Sequence, residues 1–190
     1  MINQKFTDIY TPELANGAII HDAYIGFKED YLILHCLLRK YKPLSVWETG
    51  TNIGSGLNVI CNALPEADVY SLDLDYETMR LNSKQYPLDS DGTDRVGTAA
   101  KFPYTQLRGD SMKFDYSKYP CEGYWIDGEH DFEHPFHETK EVLKLNPQII
   151  IWHDSNIPEV YKAIVDAFKG NTHYDLYRVT DTRIAYALKK

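Results

Sequence analysis

Two stretches of the chain join acids to histidines at the ends of apolar runs. WIDGEHDFE carries Asp127 and His130, and IIIWHDSN carries His153 and Asp154. If both runs are parallel strands, their carboxyl ends share one edge of a sheet, and Asp127, His130 and Asp154 converge there. Two carboxylates at such an edge suit a hard divalent ion whose shell is completed by water, as magnesium is usually held. Such an ion lowers the pKa of a coordinated substrate hydroxyl. His130, with an ordinary pKa of about 6.5, is the residue type to receive the proton, with Asp127 beside it. His153 reads as a supporting residue, and His134 and His137 as surface groups on a polar helix face. Glu129, Asp131 and Glu133 read as solvated acids, with Glu129 near enough to approach a cation.

A second constellation is the turn Glu48-Thr49-Gly50-Thr51-Asn52-Ile53-Gly54, with Gly56 just beyond it. Glycines there let a ligand approach the backbone closely, and the helix that follows offers its N-terminus. The spacing is not GxGxxG, and no lysine follows, so the nicotinamide fingerprint and the phosphate-binding P-loop are both absent. Asp73 lies 23 positions after Gly50, where the next strand ends. A carboxylate at that place can accept hydrogen bonds from both hydroxyls of a ribose.

These groups are only useful if the intervening elements bring them to one edge, and the hydrophobic pattern predicts that they do. SVWETG is a short strand, and Leu57, Ile60, Cys61 and Leu64 mark one face of a helix closed by Pro65. ADVYSLDLD is a second strand, 76–86 a helix, and TQLRGD the end of a third strand near Leu107. GYWIDG is a fourth strand, followed by a helix with Phe132, Phe136, Thr139 and Leu143 as its inward stripe. PQIIIWHD is the strongest strand signal, its four consecutive apolar residues suiting a central parallel strand. A helix starting at Pro158 follows, with Asn156 near its N-cap and Gly170 beyond its end. HYDLYRV and TRIAYALKK, separated by Thr180-Asp181-Thr182, predict a terminal hairpin. A helix over 27–41 precedes all of this, behind an irregular or briefly helical lead-in. The fold class is therefore α/β: a three-layer sandwich on a mostly parallel sheet, with a C-terminal antiparallel hairpin. One domain covers 1–190, with 1–24 as lead-in and the polar stretch 87–105 as an insertion or lid loop.

The 190 residues are 43% hydrophobic and 25% charged, as in ordinary globular domains, and carry a net charge of -8. That balance argues against a broad nucleic-acid-binding face, which needs a positive footprint. Three cysteines without CxxC spacing give neither a disulfide framework nor a thiolate zinc site, and they favour a reducing, cytoplasmic setting. No apolar run is long enough to span a membrane, and MINQKFTDIY has no signal-peptide pattern.

With these segments together, the chain resembles the class I, Rossmann-like S-adenosylmethionine-dependent methyltransferases over roughly residues 25–170. The resemblance implies that Glu48, Gly50, Thr51 and Gly54 serve the methionine part of the cofactor and that Asp73 holds its ribose. It also implies that Asp110 and Ser111, in RGDS, border the adenine. IDGEHDFE narrows this, because it is similar to the IDGxHxYE stretch of the small-molecule O-methyltransferases acting on macrolide sugars and of the cephalosporin-tailoring branch. In that branch, residues matching Asp127 and Asp154 contribute to a magnesium site, and the one matching His130 is the proposed general base.

The chain also departs from the branch. Ser155 stands where a second acid is usual, and Leu145-Asn146-Pro147-Gln148 replaces a proline-glycine-glycine turn. The metal therefore stays open, and a catalytically inactive cofactor-binding or regulatory protein of the same fold is the alternative. A nucleic-acid methyltransferase is disfavoured by the charge and by the lack of an acid-, Asn- or Ser-initiated Pro-Pro-aromatic tetrapeptide. The expected partner is a small-molecule acceptor, with a homodimer as a further expectation, in which the short chain borrows a partner's N-terminal segment over its cleft.

Overall fold

The computed structural model describes residues 1–19, 28–75, 77–78 and 94–190. In chain order its elements are β1 (Ile2–Lys5), α1 (Pro12–Ala15), α2 (Lys28–Tyr41), β2 (Ser45–Thr49), α3 (Ser55–Ala63), β3 (Asp68–Asp73), β4 (Thr105–Arg108), β5 (Gly123–Ile126), α4 (Glu133–Leu145), β6 (Ile149–Trp152), α5 (Pro158–Ala167), β7 (Tyr174–Thr180) and β8 (Ala185–Lys189). The strands form one eight-stranded sheet in the order β1-β7-β8-β6-β5-β2-β3-β4. Every pairing is parallel except those of β8 with β6 and β7. The mostly parallel sheet and its terminal antiparallel hairpin are thus as the sequence predicts.

The central strands read as continuous apolar runs because both of their faces are covered. Along β6, Ile149 and Ile151 pack with Leu34, Leu37, Leu57 and Ile60 of α2 and α3. Ile150 and Trp152 pack on the opposite face with Val142 of α4 and with Val160 and Ile164 of α5. Two cores separated by the sheet make the three layers.

Several local expectations need correction. The lead-in is not merely irregular or helical: β1 pairs with β7 at the sheet edge, in register Ile2 to Tyr177 through Lys5 to Thr180. Its sequence, INQK, has too little apolar content to signal a strand. The inward stripe of α4 is displaced by about one position. Pro135, Glu138, Thr139 and Val142 are buried, whereas Phe132 and Phe136 stack on each other with ring centroids 5.3 Å apart, within the usual aromatic range, at half-buried positions. The start of α5 is as expected, with Asn156 next to the N-cap residue Ile157 and Pro158 at the first helical position. The helix expected over 76–86 falls almost entirely outside the described residues, as does 87–93 of the insertion. The described remainder, 94–104, is tied to the glycine turn and to α3. Gly97 and Ala99 donate to the carbonyls of Asn52 and Ile53, each at 2.8 Å, and the Asn58 amide group spans Ala99 and Lys101. The last residue of the expected insertion, Thr105, already belongs to β4.

Candidate functional site

The strand ends are joined by a row of backbone hydrogen bonds that continues the sheet past its regular strands. Gly109 donates to Asp73, Gly50 to Leu72, Asp127 to Thr49 and His153 to Ile126, at 2.9 to 3.1 Å. This row fixes the loops that leave β2, β3, β4, β5 and β6 along one edge. Above it lies a cleft of about 540 Å³ lined by Gly50, Thr51, Asp73, Asp110, Ser111, Asp127, His130 and Asp154 among others. Eight of the ten residues singled out in the sequence therefore meet in one place. The other two, Glu48 and Gly54, do not line it.

On one wall is the glycine turn. Gly50 has φ +90, and a Cβ on it would stand 2.1 Å from the Asp127 carbonyl oxygen. Only glycine permits that approach, which is what sets the β2 and β5 loops against each other. Gly54 (φ +100) is the N-cap of α3, so its role is to start the helix. The first amides of α3 have no partners within the helix, and among the described residues the buried Ser55 hydroxyl beside them has no hydrogen-bond partner. Ser55 and Gly56 line the cleft, so this helix end presents an unfilled donor set suited to a carboxylate.

Asp73 closes β3 opposite the turn. Its Oδ2 accepts from the Asn52 amide and its Oδ1 from the Leu74 amide, both at 2.8 Å. Burial raises its pKa above the ordinary carboxylate value, against the pull of those two amides. Each oxygen retains a lone pair for a ligand hydroxyl. Asp110 accepts from Lys113 Nζ at 2.7 Å and from the Met112 amide at 2.9 Å. The lysine bond is the main reason its pKa is lowered.

Glu48 sits beneath the turn. It pairs in register with Ser71 on β3, and the Ser71 hydroxyl donates to its carboxyl. Ser71 and Thr51 hydroxyls lie 2.7 Å apart, and Gln106 Nε2 donates to Thr51 at 3.0 Å. Full burial drives the Glu48 pKa well above the usual range. The residue supports the turn through Ser71 and Thr51 instead of facing the cleft.

The second wall holds the acids and histidines. His130 Nε2 is 3.0 Å from Asp154 Oδ2. His153 Nδ1 is 3.0 Å from both Asp127 Oδ1 and Asp154 Oδ2, and its Nε2 is 3.2 Å from Asp30 Oδ2. Arg183 Nη1 reaches Asp154 Oδ1 at 3.4 Å, while the Arg183 amide donates to Asp30 Oδ1 at 2.9 Å. Asp154 occupies the left-handed region with φ +50, an uncommon backbone for a non-glycine residue, held here by the bonds around it. Burial opposes charge on His153, yet Asp127, Asp154 and Asp30 together push its pKa up to about 12. Burial likewise opposes charge on Asp154, and the two histidines hold it well below the usual carboxylate range. The hydrogen bond to Asp154 raises His130 above 6.5.

His153 is thus central to the cluster, not peripheral to it. Asp30 and Arg183 were not singled out in the sequence. A signal for Asp30 existed, since it shares the buried stripe of α2 with Leu34, Leu37 and Leu38, and an acid there requires a partner. Arg183 lies in a turn with no readable motif. His134 lines the cleft, half-buried, with Nδ1 about 3 Å from both Asp131 oxygens. It is not the surface group its helix face suggested, whereas His137 does not reach the cleft.

The donor set of this wall fits a divalent ion. Among the described residues, Asp127, His153 and Asp154 each offer one ligand atom within 4.8 Å of one another. For the cofactor, the paired carboxylate of Asp73 and the unfilled donors at the start of α3 fit a ribose at one end and a carboxylate at the other.

No protein-family model and no curated protein matches the sequence. The structure does match solved ones. Cofactor-bound Rv0187 from MTB superposes with a TM-score of 0.60 at 16% identity, over 93% of this chain and 86% of that one. The SAH-bound O-methyltransferase of Bacillus cereus gives a TM-score of 0.58 at 13% identity, covering 94% and 85%. MycE of the mycinamycin biosynthetic pathway, in complex with Mg, SAH and mycinamycin VI, gives 0.54 at 15% identity, over 80% of this chain and 47% of that longer one. The chain therefore has the Rossmann-like fold that these proteins share.

Proposed function

We propose that this chain is an S-adenosylmethionine-dependent methyltransferase acting on a hydroxyl oxygen of a small molecule. The observation that carries the reading is the contact between the two walls. Gly50 lies directly against Asp127, so groups suited to a nucleoside face groups suited to proton removal across one cleft. The Bacillus cereus O-methyltransferase structure holds SAH, and that of MycE holds Mg, SAH and mycinamycin VI, which supports the same kinds of ligand here.

The chain's own residues have distinct tasks. Thr51 and the first turn of α3, with Ser55, receive the methionine end; Asp73 accepts from the ribose; Asp110 and Ser111 border the base. The cofactor supplies an electrophilic methyl on a sulfonium, which passes to oxygen by in-line displacement from the side opposite sulfur. His130 in its neutral form keeps its proton on Nε2, facing Asp154, and takes the acceptor proton on Nδ1. Asp154 orients that ring and stabilises the imidazolium that forms. A divalent ion held by Asp127 and Asp154 would lower the pKa of the acceptor hydroxyl and fix its direction. The rest of the rate would come from alignment in a closed cleft. The three cysteines are free and buried, which supports a cytoplasmic setting, and the charge of -8 supports a small acceptor over nucleic acid.

Calorimetric titration with S-adenosylmethionine tests the assignment. The folded wild-type protein should bind in the micromolar range, and D73A should weaken binding at least ~10-fold, the loss of about 1.4 kcal/mol or more in charge-assisted hydrogen bonds. D73N, which keeps the shape of the side chain, separates loss of the ribose contact from collapse of the turn. Absence of binding by folded wild-type protein would overturn the proposal. If binding holds, H130A should abolish transfer to a hydroxylated acceptor while leaving cofactor affinity unchanged.

A further inference from the structure

We propose that His153 is a nitrogen ligand in the cation site, held in that role by Asp30, and that the site prefers a first-row transition dication such as Mn2+ over Mg2+. The inference rests on reading Asp127 and Asp154 as cation ligands; it does not depend on which cofactor the other wall binds.

The geometry around Nδ1 is the starting point. One ring nitrogen stands 3.0 Å from Asp127 Oδ1 and 3.0 Å from Asp154 Oδ2. It can carry one hydrogen, and one hydrogen points at one oxygen. A cation centred among the three atoms serves all of them at once. Ligand atoms at ~2.1 Å from an octahedral ion lie ~3.0 Å apart at neighbouring corners, which is the spacing seen at Nδ1. All three residues line the cleft, so the open side of the trio faces water and an acceptor oxygen.

The other ring nitrogen supplies the second, independent observation. His153 Nε2 is 3.2 Å from Asp30 Oδ2, and that side chain is only 5% exposed. Metal-bound histidines commonly donate their second N–H to a carboxylate, which fixes the tautomer and strengthens the ligand. Asp30 is itself immobilised, since its Oδ1 accepts from the Arg183 amide at 2.9 Å. The ring lies beside Trp125 and Tyr31, with centroids at 5.5 and 6.4 Å, and the His153 amide donates to Ile126. Such a ring is aimed before any ion arrives. Mg2+ favours an all-oxygen shell, whereas an imidazole in the set favours first-row transition dications, Mn2+ being the weakest of that series and therefore the most stringent one to compare with Mg2+.

The test uses the full-length protein and metal alone. Mn2+ is titrated and free Mn2+ is read by electron paramagnetic resonance, with Mg2+ as competitor. The expected result is one Mn2+ per chain, displaced only by Mg2+ at ~10-fold or greater excess. Spin-echo modulation should report a directly bound 14N that survives in H130A and disappears in H153N. D30N should weaken Mn2+ by ~10–100-fold. If H153N does not fold, the wild-type nitrogen signal and its persistence in H130A still decide the matter. Equal affinity for the two ions, no one-to-one Mn2+ site in folded protein, a nitrogen signal lost in H130A, or an unchanged preference in folded H153N would each overturn the proposal. Titrating S-adenosylmethionine into the same sample reports separately on the cofactor reading.

Discussion

Gly50 shows how much one missing methyl group decides. Its φ of +90 and the 2.1 Å approach of the Asp127 carbonyl act together. Gly170 has a similar φ of +75 but open space around it. The pair separates backbone strain from crowding. G170A should cost about 1 kcal/mol, the usual penalty for a left-handed residue. G50A adds a backbone overlap that only a shift of Asp127 can relieve, so it should cost at least ~2 kcal/mol more and also impair cofactor binding. Thermal melts of the two variants check this, and equal shifts would refute the crowding argument. Gly50, Asp73, Asp127 and Asp154 were legible in sequence because strand ends and turns have characteristic residue types. Glu48 was legible as the first residue of the glycine-turn motif but not in its direction. Its place opposite Ser71 follows from sheet register, which no local pattern encodes.

At the scale of elements, α4 illustrates where periodicity misleads. Of the expected stripe, Thr139 is buried and Phe136 and Leu143 pack against the core only partly buried, so the stripe runs along the core's margin and the fully buried positions lie beside it. In the fold the Phe132 and Phe136 rings stack on each other, with Lys162 Nζ of α5 4.1 Å above Phe132, while Glu138 is buried at 1% exposure. Among the described residues neither Glu138 oxygen has a hydrogen-bond partner within ordinary distance, and burial, opposed by the nearby Ser111 hydroxyl, pushes its pKa from 4.5 up to about 7. The sign of the linkage follows. Between pH 4.5 and 7 the native state binds more protons than the unfolded chain, so stability falls as pH rises through that window. E138Q lacks this titration. Its stability relative to wild type should therefore climb from pH 4.5 to 7 and level off above, by about 3 kcal/mol in total. Melting temperatures of both proteins across that range provide the check; a constant difference would show that Glu138 titrates normally. The central strands and their order of alternation with helices were legible because burial on both faces leaves continuous apolar runs. The edge strand β1 was not, since half-exposed edges accept polar residues.

At the scale of the whole molecule, the sheet divides its labour. Strands β2 to β4 carry the turn and acids assigned to the cofactor, whereas β5, β6 and the hairpin β7-β8 close the second wall. That wall draws on distant parts of the chain: the bond between Asp30 and the Arg183 amide spans 153 positions, and Ser155 donates to the Arg183 carbonyl at 2.8 Å. Arg183 is thereby pinned by its backbone on both sides, which explains why a featureless turn contributes to the site. Strand β1 lies outside this arrangement. It adds to the far edge through β7, supplemented by Thr180 Oγ1 donating to the Gln4 carbonyl at 3.1 Å and by a Tyr186–Gln4 side-chain bond. Ile2 is 52% exposed, so little apolar burial accompanies these bonds. Each exchanged hydrogen bond is worth only ~1 kcal/mol net, and ordering four residues offsets part of that gain. Removing residues 1–5 should consequently lower the melting temperature by roughly 2–8 °C, corresponding to about 1–2 kcal/mol. The affinity for S-adenosylmethionine should stay within ~3-fold, because under about 0.7 kcal/mol of coupling is expected between remote edges of one sheet. Melts and calorimetry on the same truncated protein decide it. A folded truncation that no longer binds the cofactor would mean the two halves of the sheet are energetically coupled, and the division of labour drawn from the topology would fail.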